Sequence, residues 1–170
     1  MLDIIKNDMK AYNKKINLLN FIYLLIFNSG FFTLFGFRVY AYLYKKSLPL
    51  KVLSKLIQRF HEILTACYIS PKAKIATGLK LPHPVGVVIG EGAIIGQNTT
   101  IYQGVTLGKG GDNLYPNLGD DCVIFANSIL IGGIKLSNKC TVGANSFVNK
   151  DIPELSVFAG VPAKFITYKG

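Results

Sequence analysis

The sequence predicts a mainly β protein, a parallel β-helix preceded by a small α-helical segment, and three observations carry that prediction. Beyond Ile69 one aliphatic residue recurs at every sixth position: Ile69, Ile75 and Leu81, then Ile89, Ile95, Ile101 and Leu107, then Leu118, Ile124, Leu130, Leu136, Val142 and Val148. Small or turn-prone residues follow many of them, as in Ile89-Gly90, Ile95-Gly96, Leu107-Gly108, Leu118-Gly119 and Val142-Gly143. Before Ala66 the apolar spacing is instead three and four, as in Phe37, Tyr40, Ala41 and Tyr44, which is the period of a helix.

A hexad with one inward aliphatic side chain forms one short flat side, three hexads close a triangular coil, and stacked coils bury a continuous core. Residues eighteen apart then lie above one another at the strand spacing of about 4.8 Å. Ile124 stacks on Val142, and Cys122 on Cys140. The register slips at Pro82-His83-Pro84 and again from Lys109 to Asn117; slips in a repeat map to loops, and loops on such scaffolds carry function. The expected organisation is a helical segment over 1–66, the β-helix over 67–154 with an inserted loop at 109–117, and a tail over 155–170.

In the helical segment, breaks fall at Asn28-Ser29-Gly30 and Ser47-Leu48-Pro49. They predict two or three short helices with one apolar stripe each, capping the β-helix, the last with Lys51, Lys55 and Arg59 on a solvated face. Ile16 to Phe37 is a run of twenty-two residues without a charge, long enough to cross a bilayer. Asn20, Asn28, Ser29, Gly30 and Thr33 within it weaken that reading.

The 170 residues hold one repeat module with its helical cap and leave no room for a second catalytic domain. Half of them are apolar and 16% are charged, which excludes a disordered chain. Lys and Arg outnumber Asp and Glu by 19 to 9, and residues 1–66 hold ten of the basic and three of the acidic side chains. That basic front suits an anionic membrane surface, an acidic glycan or nucleic acid. No nucleic-acid motif accompanies it, so nucleic acid is not expected, while peripheral membrane contact through the front segment stays open. Acidic residues and lysines in the first fifteen positions do not fit a cleavable signal. Cys67, Cys122 and Cys140 follow no zinc spacing. The expectation is reduced thiols and a cytoplasmic protein, at the inner face of the membrane if the front segment meets lipid. Two isolated histidines and scattered carboxylates predict no metal site.

Four runs carry a family resemblance: Phe37-Arg38-Val39-Tyr40-Ala41-Tyr42-Leu43-Tyr44, His83-Pro84-Val85-Gly86-Val87-Val88-Ile89-Gly90-Glu91, Tyr102-Gln103-Gly104-Val105-Thr106-Leu107-Gly108 and Ala159-Gly160-Val161-Pro162-Ala163-Lys164. With them the chain resembles the hexapeptide-repeat acetyltransferases, in the branch of short serine O-acetyltransferases and capsule and exopolysaccharide acetyltransferases. The resemblance implies a left-handed β-helix, a homotrimer with active sites between subunits, and acetyl-CoA as acetyl donor. It also implies that His83 is the catalytic base, accepting the acceptor hydroxyl's proton as the oxygen attacks the thioester; an imidazole that titrates near neutral pH is suited to this. The other histidine, His61, lies in a helical stretch beside Phe60 and reads as structural. Gly104 and Gly108, opposite the His83 loop in the family arrangement, are candidate N–H donors to the oxyanion and count among the acetyl-CoA residues. The family's CoA positions fall on Ala126, Ala144, Asn149, Lys150 and Lys164. The repeat independently stacks Ala126 on Ala144, which leaves a groove for the pantetheine arm, and Lys150 and Lys164 can meet phosphates.

On the acceptor side the chain departs from the serine-specific members, which carry an acid before the catalytic histidine, another acid fifteen positions earlier, and a second histidine before the proline of the inserted loop. Here those places hold Pro82, Tyr68 and Tyr115. With no acid to pair a serine ammonium, and with Tyr68 and Tyr115 available to stack on a sugar ring, the expected acceptor is a sugar hydroxyl of a capsular, exopolysaccharide or other glycan. The alternatives are serine O-acetylation for cysteine synthesis and, in a different class, an inactive β-helix that serves as a binding or scaffold protein.

Overall fold

The computed structural model describes every residue except Asn13, Asp112 and Gly170. Four helices come first: α1 (Leu2–Ala11), α2 (Leu18–Phe27), α3 (Ser29–Tyr44) and α4 (Leu48–Thr65). The break between α1 and α2 supplies the fourth helix, one more than the periodicity predicts. Asn28 ends α2 and also starts α3, its Oδ1 accepting from the Phe31 N–H at 2.8 Å, the usual way an Asn satisfies a free first-turn donor. The two helices meet at a bend of 105°, and no single helix among the described residues is long and apolar enough to cross a membrane. The uncharged run Ile16 to Phe37 is therefore broken in space as well as in sequence.

Ala66, in the left-handed conformation, closes α4, and the chain enters a parallel β-helix with three flat sides. The first side stacks β1 (Tyr68–Ile69), β3 (Val88–Ile89), β6 (Thr106–Gly108), β9 (Ile129–Ile131) and β12 (Phe147–Val148). The second stacks β2 (Lys74–Ile75), β4 (Ile94–Ile95), β7 (Asn117–Leu118) and β10 (Lys135–Leu136). The third stacks β5 (Thr100–Ile101), β8 (Val123–Ile124), β11 (Thr141–Val142) and β13 (Ser156–Gly160), with β14 (Ala163–Tyr168) turning back antiparallel on β13. The hexad aliphatics form the core. Ile69, Leu81, Ile89, Ile101, Leu107, Ile124, Leu130, Leu136 and Val142 are wholly buried, and only Ile75 of the series is partly exposed. The predicted register holds, with Val142 paired to Ile124. Cys122 and Cys140 are buried free thiols on consecutive coils.

The helices sit on the first coil. Leu34, Phe37 and Tyr40 of α3 join the β-helix core, and the Tyr40 hydroxyl donates to the Ile69 carbonyl at 2.9 Å. Asp8 of α1 and Arg38 of α3, both buried, form a two-bond ion pair that also binds the first coil, from Ile75 to Gly78.

Helix α4 is oriented against expectation. Its body-facing side carries Ser54, Gln58 and His61, whose side chains bond the carbonyls of Tyr40, Ile69 and Phe32. Its apolar stripe of Val52, Leu53, Leu56, Phe60, Ile63 and Leu64 is exposed. Lys55 and Arg59 are solvated as predicted, whereas Lys51 is half-buried.

His61 is structural, as the sequence suggests, packed between the rings of Phe32 and Tyr40. Burial lowers its pKa, against the opposing bond to the Phe32 carbonyl. The unfolded chain therefore takes up a proton first as the pH falls below the ordinary value of about 6.5, and stability is lost from there down to the lowered folded value. Wild type should melt at a lower temperature at pH 5.5 than at pH 7.5, and His61→Gln should reduce that difference; an unchanged difference would place the acid sensitivity elsewhere.

Candidate active site

Two corners of the prism carry the residues that matter. Where the third side turns into the first, the backbone stacks in two columns. Val85, Gln103, Ala126 and Ala144 form one, each carbonyl accepting from the next coil: Gly104 N–H to Val85 at 3.0 Å, Asn127 N–H to Gln103 and Asn145 N–H to Ala126, both at 2.9 Å. Gly86, Gly104, Asn127 and Asn145 form the other, all at positive φ between 55° and 73°, a conformation that Gly and Asn adopt with least strain.

His83 lies on the loop at the head of this corner, exposed, with no hydrogen bond or ion pair to any described residue. Leu81 and Pro84 are buried on either side of it. The Leu81 N–H donates to the Tyr12 hydroxyl at 3.2 Å, Gly86 N–H to the Ala66 carbonyl at 2.8 Å, and Val87 N–H to Pro84 at 3.1 Å. The loop is thus fixed at both ends while the imidazole stays free. Ala126 and Ala144 stack below it with side chains of a single carbon, so the corner is shallow there. The β13–β14 hairpin docks at the lower end, where Gly160 N–H donates to the Ser146 hydroxyl at 3.1 Å and the Gly143 N–H to the Phe158 carbonyl at 2.8 Å. It carries Lys164, exposed and paired in register with Ala159.

The second corner, from the first side to the second, holds Tyr115, Asn149 and Lys150, with Gly108 at the end of β6 beside it. Asn149 and Lys150 are exposed. Within one chain the whole first side separates this group from His83, Gly104, Ala126 and Ala144.

Several expected roles change on this geometry. The Gly104 N–H is donated to Val85 within the chain, so it is no free donor for an oxyanion, and its left-handed φ accounts for the glycine. Gly108 continues the strand ladder opposite Ile131. Tyr115 is half-buried, its ring laid over Gly90 and Gly92 so closely that a Cβ on either would overlap it; this anchors the inserted loop and takes up the face a sugar would need. Within that loop Asp112 lies outside the described residues. Tyr68 is exposed at the outer face of the first side, opposite Val88. One residue not singled out from sequence also lies here. Gln103 stands in the column between Val85 and Ala126, and its Oε1 is buried without a hydrogen-bond partner, alone in this among the described residues. Such an oxygen is an acceptor left for a bound N–H or O–H; its place among smaller residues of the column was the only signal in the sequence.

A six-residue β-helix with a free histidine over a small-residue corner defines a hexapeptide-repeat protein of the acyltransferase type. Residues 86–110 and 117–150 match the family described as "Hexapeptide repeat of succinyl-transferase". A serine acetyltransferase of Staphylococcus epidermidis is 38% identical over 122 residues, covering 70% of this chain and 57% of the relative. The crystal structure of Neisseria gonorrhoeae serine acetyltransferase in complex with serine is 32% identical with a TM-score of 0.85, over 98% of this chain and 69% of that one. Serine acetyltransferase of Brucella abortus in complex with coenzyme A is 28% identical with a TM-score of 0.88, over 99% of this chain and 68% of that one. The chain therefore belongs to the hexapeptide-repeat acetyltransferase family, in the branch of the serine acetyltransferases. It spans less than three fifths of the length of the curated relatives it matches.

These relatives overturn the glycan acceptor expected from sequence: they are serine acetyltransferases, and one is solved with serine bound. The physical reason lies partly in Tyr115, whose ring packs on its own backbone instead of forming a sugar platform.

Proposed function

We propose that the protein transfers the acetyl group of acetyl-CoA to the hydroxyl of L-serine. The observation that carries this reading is the free His83 side chain at the head of a corner floored by Ala126 and Ala144, on a chain whose relatives include one solved with serine and another with coenzyme A. His83 accepts the serine hydroxyl proton as that oxygen attacks the thioester carbonyl. The tetrahedral intermediate collapses with cleavage of the C–S bond, and the imidazolium returns its proton to the departing CoA sulfur. Ala126 and Ala144 leave room for the pantetheine arm, and Lys164 and Lys150 meet CoA phosphates.

The division of these residues between two corners supports a homotrimer, in which the second corner of one subunit faces the first corner of its neighbour. The outer face of the first side suits that contact, because Tyr68, Val88 and Ile129 project from it exposed. On the acceptor side, Pro82 and Tyr68 supply no carboxylate for the serine ammonium. The expected consequence is weak serine binding, visible in KM, with the reaction unchanged.

The test is release of CoA from acetyl-CoA on addition of L-serine, together with the mass by light scattering. The expected result is serine-dependent turnover, with O-acetylserine as product, from a species of three times the chain mass. No serine-dependent CoA release from a folded protein that binds CoA would overturn the serine reading, and an active monomer would overturn the shared site.

A further inference from the structure

Two helices turn apolar faces outward, and no described residue covers either. On α2 the exposed side chains are Leu18, Leu19, Ile22, Tyr23, Ile26 and Phe27, with Leu19 79% and Phe27 72% exposed. On α4 they are Val52, Leu53, Leu56, Phe60, Ile63 and Leu64, with Phe60 68% and Leu64 72% exposed. Both helices pack on α3: Phe31 and Phe35 meet Phe21 of α2, while Phe32 and Tyr40 meet His61 of α4. Leu34 and Phe37 of α3 point instead to the β-helix core, so α2 and α4 flank α3 on its other faces. For α4 the inversion is complete, since the polar side chains face the body and the apolar ones face out. A helix in a water-soluble fold does the reverse.

Charge selects among the surfaces that could cover these faces. Lys14 and Lys15 precede α2, with the Lys14 ammonium 4.3 Å from the Tyr23 ring centroid, and Lys55 and Arg59 border the α4 stripe. Residues 1–66 carry ten basic and three acidic side chains, and two of those acids are already paired, Asp8 with buried Arg38 and Asp3 with Lys6. A second copy would bring the same cations against themselves, whereas an anionic surface meets them with opposite charge. The 105° bend between α2 and α3 rules against a straight span of this run and leaves α2 lying along a surface, as interfacial helices do.

We propose that α2 and α4 form a docking face for an anionic lipid bilayer, so that the protein is a peripheral membrane protein held by its helical segment. Apolar side chains enter the interface, and Lys14, Lys15, Lys55 and Arg59 meet lipid phosphates. The proposal is independent of the acetyl-transfer reading, because its test measures binding and not turnover.

The test is flotation of the full chain with vesicles of phosphatidylglycerol and phosphatidylethanolamine, against vesicles of phosphatidylcholine alone. Partition into the anionic vesicles should be about tenfold higher or more, and should fall at high salt. Lys14→Gln with Lys15→Gln, changes at solvent-facing positions that leave the fold intact, should lower it about tenfold. Leu19→Gln with Phe27→Gln, and separately Leu56→Gln with Phe60→Gln, should lower it further while the mass in solution stays constant. Wild type that remains with the soluble fraction, or partition indifferent to the lysine pair, overturns the proposal. So does a fall in assembly mass in the α4 variant with vesicle binding unchanged, which would assign that stripe to a second copy of the chain.

Discussion

His83→Ala should lower serine-dependent turnover by about a hundredfold or more, the usual loss when a general base is removed, and should leave CoA affinity and melting temperature where they are. The expectation follows from how the loop is held. Its fixed points are backbone bonds and the buried Leu81 and Pro84, none of which uses the imidazole, so truncation removes chemistry without moving the corner. Nor can the other histidine replace it. His61 is buried in the helical segment, against the Phe32 carbonyl, and burial lowers its pKa. Steady-state turnover with equilibrium CoA binding on the same preparation is the measurement. A loss smaller than tenfold would mean that the base is a different group.

The β-helix was legible because its signal is repeated at every coil. One inward aliphatic residue per hexad gave the sides, the register and the two slips, and Ile124 does lie beside Val142. The loop carrying His83 was legible for the same reason, as an interruption of a strict period. The direction in which α4 points its stripe was not. Periodicity reports that Leu53, Leu56, Phe60 and Leu64 share a face, but Ser54, Gln58 and His61 share the opposite one. Only the carbonyls of Tyr40, Ile69 and Phe32 decide which face turns inward, because each offers a polar side chain a buried partner. Tyr115 misled in a related way: an aromatic residue in an inserted loop suggested a platform for a ligand, while Gly90 and Gly92, a coil away, form the bare backbone on which its ring rests. The acceptor failed for a further reason. Pro82, Tyr68 and Tyr115 show which ammonium contacts are missing, and a missing contact does not identify what binds instead. The retained His83 and the run from Ala159 to Lys164 were the better guide, because they are features the chain has.

Asp8→Ala should destabilise the protein by about 3–5 kcal/mol, the usual loss when one member of a buried ion pair is removed. For a chain of this size that is a fall in Tm of about 6–20 °C. Arg38 Nε donates to Asp8 Oδ2 at 2.9 Å and Nη2 to Oδ1 at 3.2 Å, and Gly78 N–H donates to the same Oδ1 at 2.7 Å. The guanidinium also donates to the carbonyls of Ile75 at 2.7 Å and Ala76 at 2.6 Å. With Asp8 2% and Arg38 8% exposed, removing the carboxylate leaves a buried cation without its counter-charge and the Gly78 N–H without an acceptor. Replacing both partners by apolar residues, Asp8→Leu with Arg38→Met, removes the unpaired charge along with the pair. The double variant should therefore recover part of the loss, and the two single changes should not add. Because these bonds join α1 and α3 to the first coil, while the hexad core below is held by its own aliphatics, the loss should fall first on the helices. Helical ellipticity at 222 nm should melt before the β-helix does in Asp8→Ala, where wild type shows one transition. A single variant that melts with wild type, or a double variant no more stable than the singles, would mean that the pair does not hold the helical segment to the β-helix.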